Sequence, residues 1–278
     1  MVKIAVLSDV HGNATALAAV LTDAKANQVD DYWTVGDITV RGPESERCMD
    51  LLDAVHPSAY VLGNHEDNYR KVLAANPDTF TKPKQIMSTI LTDFDRRQLS
   101  PKHFDQLLHL PMTVTKQVGS LTVRLQHVLT DYASGHALAP IAEQANFDQA
   151  AVGDPDIVIY AHTHQPVMRY STRGQLILNA GTVGLPTAIN PKLRQPRASY
   201  LILTIDETGV QNIDYRSVDF DWHRAIVIAE EAHLPYFDFY AKTLQTNAYQ
   251  YATKAVASYN DQHDMAQLAR QILNSNNH

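Results

Sequence analysis

The stretch Ala59-Tyr60-Val61-Leu62-Gly63-Asn64-His65-Glu66 decides how the chain is read. An apolar run ends in a glycine and then presents an amide, an imidazole and a carboxylate side by side. A buried parallel strand delivers reactive groups to a sheet edge in this way, and ligands of open α/β sheets bind beyond such strand ends. Two earlier stretches repeat the pattern. Ile4-Ala5-Val6-Leu7 runs into Ser8-Asp9-Val10-His11-Gly12-Asn13, and Trp33-Thr34-Val35 runs into Gly36-Asp37. Asp9, Asp37 and Asn64 are spaced by about 28 and about 27 residues, close to the ~30 residues of a strand–helix–strand unit. Three successive strands thus bring metal-type ligands to one edge, as a dinuclear metal centre requires.

Composition sets the frame for this edge. The chain has 278 residues, 45% apolar and 19% charged, enough for a sizeable core in one α/β domain with an appendage. A formal charge of −7 argues against a broad nucleic-acid surface, which needs clustered Lys and Arg. The single Cys48 cannot form an internal disulfide and reads as a structural thiol on a helix face. The N-terminus opens on a strand pattern with no basic n-region or cleavage site. No apolar run approaches the ~20 residues of a membrane span. The expectation is a cytoplasmic protein that does not cross a membrane.

In chain order, Asn13 caps a helix over Ala14–Ala26, with Leu17, Val20, Leu21 and Ala24 on its apolar face. A second helix runs from Pro43 to about Ala54. From Asn68 to His109 the pattern is helical but broken at Pro77, Pro83 and Pro101. Alternation then predicts hairpins over 113–128, 167–179 and 199–217, with a buried strand at Asp156–Tyr160 that ends in Ala161-His162-Thr163-His164. Beyond Asp219 the pattern is helical: Trp222–Ala232, Tyr240–Ala257 and Asp261–Asn274. Its tyrosines (Tyr236, Tyr240, Tyr249, Tyr251, Tyr259) suit either packing on the body or a lid or subunit contact. The expected fold is α/β (α+β): a two-sheet mixed β-sandwich flanked by helices, residues 1–218, with a C-terminal helical extension, residues 219–278.

The candidate ligands are Asp9, His11, Asp37, Asn64, His127, His162 and His164, each after a strand-like run. In an extended segment, residues two apart face the same side, which would aim Asp9 with His11 and His162 with His164 into one cavity. As an ordered set, Asp9-x-His11, Gly36-Asp37, Gly63-Asn64-His65-Glu66, His127 and His162-x-His164 resemble the calcineurin-like metallophosphoesterases. The resemblance covers residues 3 to about 185. It implies two metal ions at the strand ends: one on Asp9, His11, Asp37 and His164, the other on Asp37, Asn64, His127 and His162. It also implies that His65 assists the chemistry without binding metal. Imidazole, carboxylate and amide oxygen together suit Mn, Fe or Zn, and such a pair makes water nucleophilic towards phosphorus. Glu66 either orients an imidazole from behind or is a surface carboxylate. Arg41 matches an arginine that grips phosphate in some branches, and Asn179-Ala180-Gly181-Thr182 resembles a loop that shapes the backbone near the metals. Two residues depart from the family pattern: Ala161 and Val128 stand where glycine is usual, and the second makes His127 the least secure ligand.

The Ser-Asp-Val-His-Gly-Asn start and Leu234-Pro235-Tyr236-Phe237 before a helical tail resemble members described as asymmetric diadenosine tetraphosphate hydrolases with phosphodiesterase activity. That resemblance implies a small, phosphorylated, nucleotide-like substrate, such as diadenosine tetraphosphate cleaved to ATP and AMP. Tyr132, His136 and the tyrosine-rich tail would supply aromatic surface for adenine. The alternatives are a broad-specificity phosphodiesterase, a protein phosphatase, and a non-catalytic metal-stabilised binding scaffold. A homo-oligomer through the C-terminal helices is the candidate assembly.

Overall fold

In the computed structural model, which describes residues 1–193 and 195–276, β1 (Val2–Leu7) shows how the layers form. Ile4 and Val6 face one apolar cluster while Ala5 and Leu7 face another. Both faces of the strand are buried, so it reads as a continuous apolar run. Helix α1 (Ala14–Ala26) follows, and Asn13 Oδ1 accepts from Ala16 N at 3.0 Å as its cap. Next come β2 (Asp31–Thr34), α2 (Ser45–Val55), β3 (Ala59–Tyr60), α3 (Asn64–Leu73), α4 (Pro83–Arg96) and α5 (Pro101–Leu108). The helical region therefore starts at Asn64 rather than Asn68, and His65 and Glu66 lie in the first turn of α3.

The second half contains β4 (Thr113–Val118), β5 (Leu121–Gln126), α6 (Gln144–Ala150), β6 (Ile157–Tyr160), β7 (Pro166–Tyr170), β8 (Leu176–Ala180), β9 (Ala198–Asp206) and β10 (Gly209–Val218). Two five-stranded sheets result, ordered β10-β9-β1-β2-β3 and β4-β5-β6-β8-β7. In the first, β1, β2 and β3 are parallel. In the second, β5, β6 and β8 are parallel. The sheets face each other over Ile4, Val6, Trp33, Leu125, Ile159 and Leu203. Outside the second sheet, Val158 and Tyr160 pack with Phe147 of α6. This is the two-sheet mixed sandwich flanked by helices that the sequence implied.

The extension forms α7 (Trp222–Glu231), α8 (Phe237–Thr246), α9 (Thr253–Gln262) and α10 (Met265–Asn276). The helix expected over Tyr240–Ala257 is two helices. Asn247 adopts a left-handed conformation (φ 54°) and its N–H closes on Thr243 O at 2.8 Å, a common way to end a helix. Tyr236, Tyr240 and Tyr251 are buried in the same apolar cluster as α1, α2 and α4, so these tyrosines pack on the body of their own chain. Among the described residues, no helix is long and apolar enough to cross a membrane.

Candidate metal centre

The loops after β1 and β2 are joined backbone to backbone. Asp9 N donates to Gly36 O (3.1 Å), His11 N to Asp37 O (2.9 Å) and Gly12 N to Ile38 O (2.9 Å). Gly36 and Gly63 make the approach possible, since a Cβ on Gly36 would lie 2.6 Å from Gly63 Cα. Five candidate ligands have left-handed backbones: Asp9 (φ 52°), His11 (50°), Asp37 (52°), His162 (70°) and His164 (58°). The Asp9–His11 and His162–His164 pairs thus converge through left-handed turns, not through the extended alternation expected from their spacing. Each such residue costs about 1–3 kcal/mol and persists only where its surroundings over-determine it, a pattern that clusters at functional sites.

All seven candidate ligands come together. In one half, His11 Nδ1 faces Val40 O (3.3 Å) and His164 Nδ1 faces Leu185 O (2.8 Å). Bonding to carbonyls places the protons on Nδ1 and leaves both Nε2 atoms as acceptors. Those Nε2 atoms stand 3.1 Å apart. Asp9 Oδ1 is 3.3 Å from His164 Nε2 and 3.9 Å from His11 Nε2, and it is buried without a hydrogen-bond partner. Three lone-pair donors thus face one point with no proton between them. Bare side chains repel in that arrangement, and a cation satisfies it.

In the other half, His127 Nδ1 faces Val35 O (2.7 Å) and its Nε2 lies 3.3 Å from Asp37 Oδ2. His162 joins them, with Asp37, His127 and His162 each offering an atom within 4.8 Å of the others. The Asn64 amide oxygen faces only acceptors. Turned over, the amide would instead donate to Asp37 Oδ2 (3.3 Å) and His162 Nδ1 (2.6 Å). The reversed amide suits the bare cluster, whereas the inward oxygen suits a cation, so Asn64 fits the group in one of its two orientations. Asp37 Oδ2 also lies 3.9 Å from His11 Nε2, between the halves. His127 is therefore well seated despite Val128, and the Ala161 methyl is absorbed in the inter-sheet core.

Glu66 is neither a surface carboxylate nor an imidazole partner. It is fully buried and accepts from the backbone N–H of Asp37 (2.9 Å), Ile38 (2.8 Å), Thr39 (3.2 Å) and Gly63 (3.0 Å). Its role is to hold the backbone that carries Asp37. Burial raises its carboxyl to about 7, with Asp37 adding to the rise. Asn179 donates to Ala161 O (3.0 Å) and Thr182 Oγ1 to Asp9 O (2.8 Å), so that loop does brace the ligand backbone. Burial lowers His65 to about 3 against the opposing pull of Asp37, whose Oδ2 is 4.0 Å away. For His127 burial also lowers, but Asp37 outweighs it and the group rises to about 9.

The centre opens into a cavity of about 290 Å³ lined by His11, Asp37, Arg41, Asn64, His65, His136, His162, His164, Ile189 and Tyr249. Tyr132 is exposed and is not among its lining residues. Two supporting residues escaped the motifs. Asp95 of α4 accepts from Val40 N (2.9 Å), Ser45 Oγ (3.0 Å) and Tyr69 Oη (2.6 Å), and so holds the turn that presents Arg41. Tyr249 reaches the cavity from the segment between α8 and α9. Asp95 left one signal: it stands four residues from both Leu91 and Leu99, on the buried stripe of α4.

The comparisons with known proteins agree with this geometry. Residues 2–208 match the model of the calcineurin-like phosphoesterase superfamily domain. Phosphodiesterase YfcE of Escherichia coli is 25% identical over 219 residues, covering 78% of this chain and 96% of that protein. Symmetrical bis(5'-nucleosyl)-tetraphosphatase of Pectobacterium atrosepticum is 33% identical over 95 residues, 34% of this chain and 33% of that protein. Among solved structures, a metallophosphoesterase from Sphaerobacter thermophilus is 26% identical, with a TM-score of 0.67 over 88% of this chain and 100% of that one. The chain belongs to the calcineurin-like phosphoesterase superfamily, metal-dependent hydrolases that act on phosphate esters.

Proposed function

We propose that residues 1–218 form a two-metal phosphoesterase domain whose substrate is a nucleotide-like phosphodiester or phosphoanhydride. Asp9, His11, Asp37 and His164 hold one ion and Asp37, Asn64, His127 and His162 the other, with Asp37 shared. The carrying observation is the buried acceptor set with no proton between its members, the His11 and His164 Nε2 atoms 3.1 Å apart beside an unpartnered Asp9 Oδ1. The donor set suits Mn, Fe or Zn, and when bound, two such ions supply Lewis acidity to phosphate oxygens and a more acidic water. The chain's own residues do the rest. The Arg41 guanidinium binds and orients the phosphate. His65, buried beside Arg41 and the ligand cluster, stays neutral and donates an N–H to the charge growing on a phosphoryl or leaving oxygen. Carboxylates and backbone carbonyls fix the imidazoles, so little reorganisation accompanies reaction.

A cavity of about 290 Å³ suits one small-molecule group rather than a folded protein surface, which weighs against a protein phosphatase. The partial likeness to a symmetrical tetraphosphatase supports a dinucleoside polyphosphate such as diadenosine tetraphosphate; a split into ATP and AMP rests on the sequence resemblance alone, since symmetrical cleavage gives two ADP. A contact between copies through α7–α10 is not required by this reading. The test is metal analysis together with Mn²⁺-supported assays on diadenosine tetraphosphate, a bis-aryl phosphodiester and a phosphopeptide. Two metal equivalents and turnover of the first two substrates are expected. Diester turnover without dinucleotide turnover would remove diadenosine tetraphosphate. A metal-loaded protein inert to all three would leave the binding scaffold.

A further inference from the structure

The 247–252 segment between α8 and α9 is pinned on two sides. Lys84 of α4 donates to Tyr251 O and to Tyr249 Oη, the latter at 3.4 Å. On the other side Ala188 N donates to Asn247 O at 2.9 Å, tying the segment to the loop that carries cavity residues Thr187 and Ile189. The pinning leaves Tyr249 52% exposed at the cavity wall beside Arg41. The Arg41 guanidinium lies 4.4 Å from the Tyr251 ring centroid and 5.8 Å from that of Tyr249, and Lys84 Nζ lies 5.7 Å from the Tyr249 centroid.

Two cations therefore share the Tyr249 ring. Among the described residues, neither forms an ion pair with a carboxylate within 4.0 Å. Arg41 Nε is buried and has no hydrogen-bond partner, and Arg41 is held in a left-handed backbone conformation (φ 81°). Like charges set side by side without a counter-charge cost free energy in a partly buried site. An anion seated against them removes that cost. Tyr249 adds the directional element: its oxygen accepts from Lys84, which leaves its proton free to point into the cavity. Burial would raise this hydroxyl, but Arg41 and Lys84 outweigh burial and lower it, the direction expected for a phenol facing positive charge.

Arg41 also lines the cavity with His11, Asp37, Asn64 and His65, so an anion on its Tyr249 side adjoins a phosphate at the ligand cluster. We propose that Tyr249 and Arg41, with Lys84 as the positioning residue, form a subsite for a second phosphate linked to the one being hydrolysed. The C-terminal extension thereby selects phosphoanhydride chains over esters that carry a single phosphate. This inference rests on the phosphoesterase reading for the location of the first phosphate.

The test is a binding comparison on the full chain loaded with Mn²⁺. The probes are α,β-methylene-ADP, whose bridge resists hydrolysis, and AMP. The wild type is expected to bind the diphosphate analogue at least tenfold more tightly than AMP. In Tyr249→Phe and Lys84→Gln most of that preference should disappear, a loss of roughly tenfold, as for losing a hydrogen bond to a charged group. Lys84→Arg should restore most of it, which a merely structural role for Lys84 would not produce. Equal affinity of the wild type for both probes would overturn the subsite, as would an equal loss for both probes in the variants. A preserved preference in a protein that hydrolyses no phosphoester would support the subsite while refuting the hydrolase reading.

Discussion

On one side of the centre, Asp9, His11, Asp37, His127, His162 and His164 all lie within four residues of a strand end. On the other, Arg41, Lys84, Asp95 and Tyr249 meet from a turn, two places on α4 and an inter-helix segment that share no strand. The first side is fixed by sheet pairing and by backbone bonds such as His11 N to Asp37 O. The second is fixed by side chains reaching across the chain, such as Asp95 to Val40 and Lys84 to Tyr251. The ligand cluster is thus tied to the sheet pairing itself, and the groups proposed to recognise substrate are held by side-chain contacts outside it.

The largest expected effect falls on the strand-end side, at the residue between the two halves. Asp37→Ala removes the carboxylate that faces His127, His11 and His65 and accepts from His65 N at 2.9 Å. Both ions should be lost, and turnover should fall further than the roughly 10²–10⁴-fold cost of deleting one acid–base group. Metal analysis of the purified variant is the check. Two equivalents retained would show that the halves do not depend on a shared ligand.

The asymmetry between the sides also explains what could be read from the sequence. Strand ends are local: an apolar run followed by Asp-x-His or Gly-Asn-His-Glu identifies both the edge and the side chains that leave it. The left-handed turns at Asp9, His11 and His164 were not legible, because L-residues adopt that conformation only when tertiary contacts impose it. Glu66 was visible as a motif member but not as a backbone clamp, since its partners Asp37, Ile38 and Thr39 lie 27 to 29 residues earlier. Lys84 and Tyr251 are separated by 167 residues, and no periodicity connects them. The continuous helix read over Tyr240–Ala257 had the same origin: residue pattern alone did not register the left-handed stop at Asn247.

An intermediate effect is expected where the two sides touch. His65 sits in the first turn of α3, packs edge-on against His11 at a centroid distance of 5.0 Å and lines the cavity beside Arg41. His65→Ala should leave metal content intact and lower kcat by roughly 10²–10⁴-fold. Unchanged turnover would remove His65 from the mechanism, and lost metal would move it to the ligand side of the comparison.

The smallest effect belongs to the covering side, where Asp95 supports Arg41 from behind. Burial raises the Asp95 carboxyl from 3.8 to about 7, against hydrogen bonds from Tyr69, Ser45 and Val40 that lower it. A folded-state value above the unfolded one means that the folded protein binds this proton more readily. The associated stability is therefore present near pH ~4 and is lost as the pH rises to about 7. Asp95→Asn cannot titrate, and its amide oxygen can accept the Val40 N–H and the Tyr69 hydroxyl as Asp95 Oδ2 does, so it stands in for the protonated carboxyl. The variant should be within about 1 kcal/mol of the wild type at the acidic end and become the more stable of the two towards neutrality, by about 1–3 kcal/mol. Urea unfolding at several pH values, with a chelator present so that metal uptake does not contribute, measures that gap. A gap that stayed constant with pH would show that Asp95 is already ionised throughout the range, with its three hydrogen bonds outweighing burial.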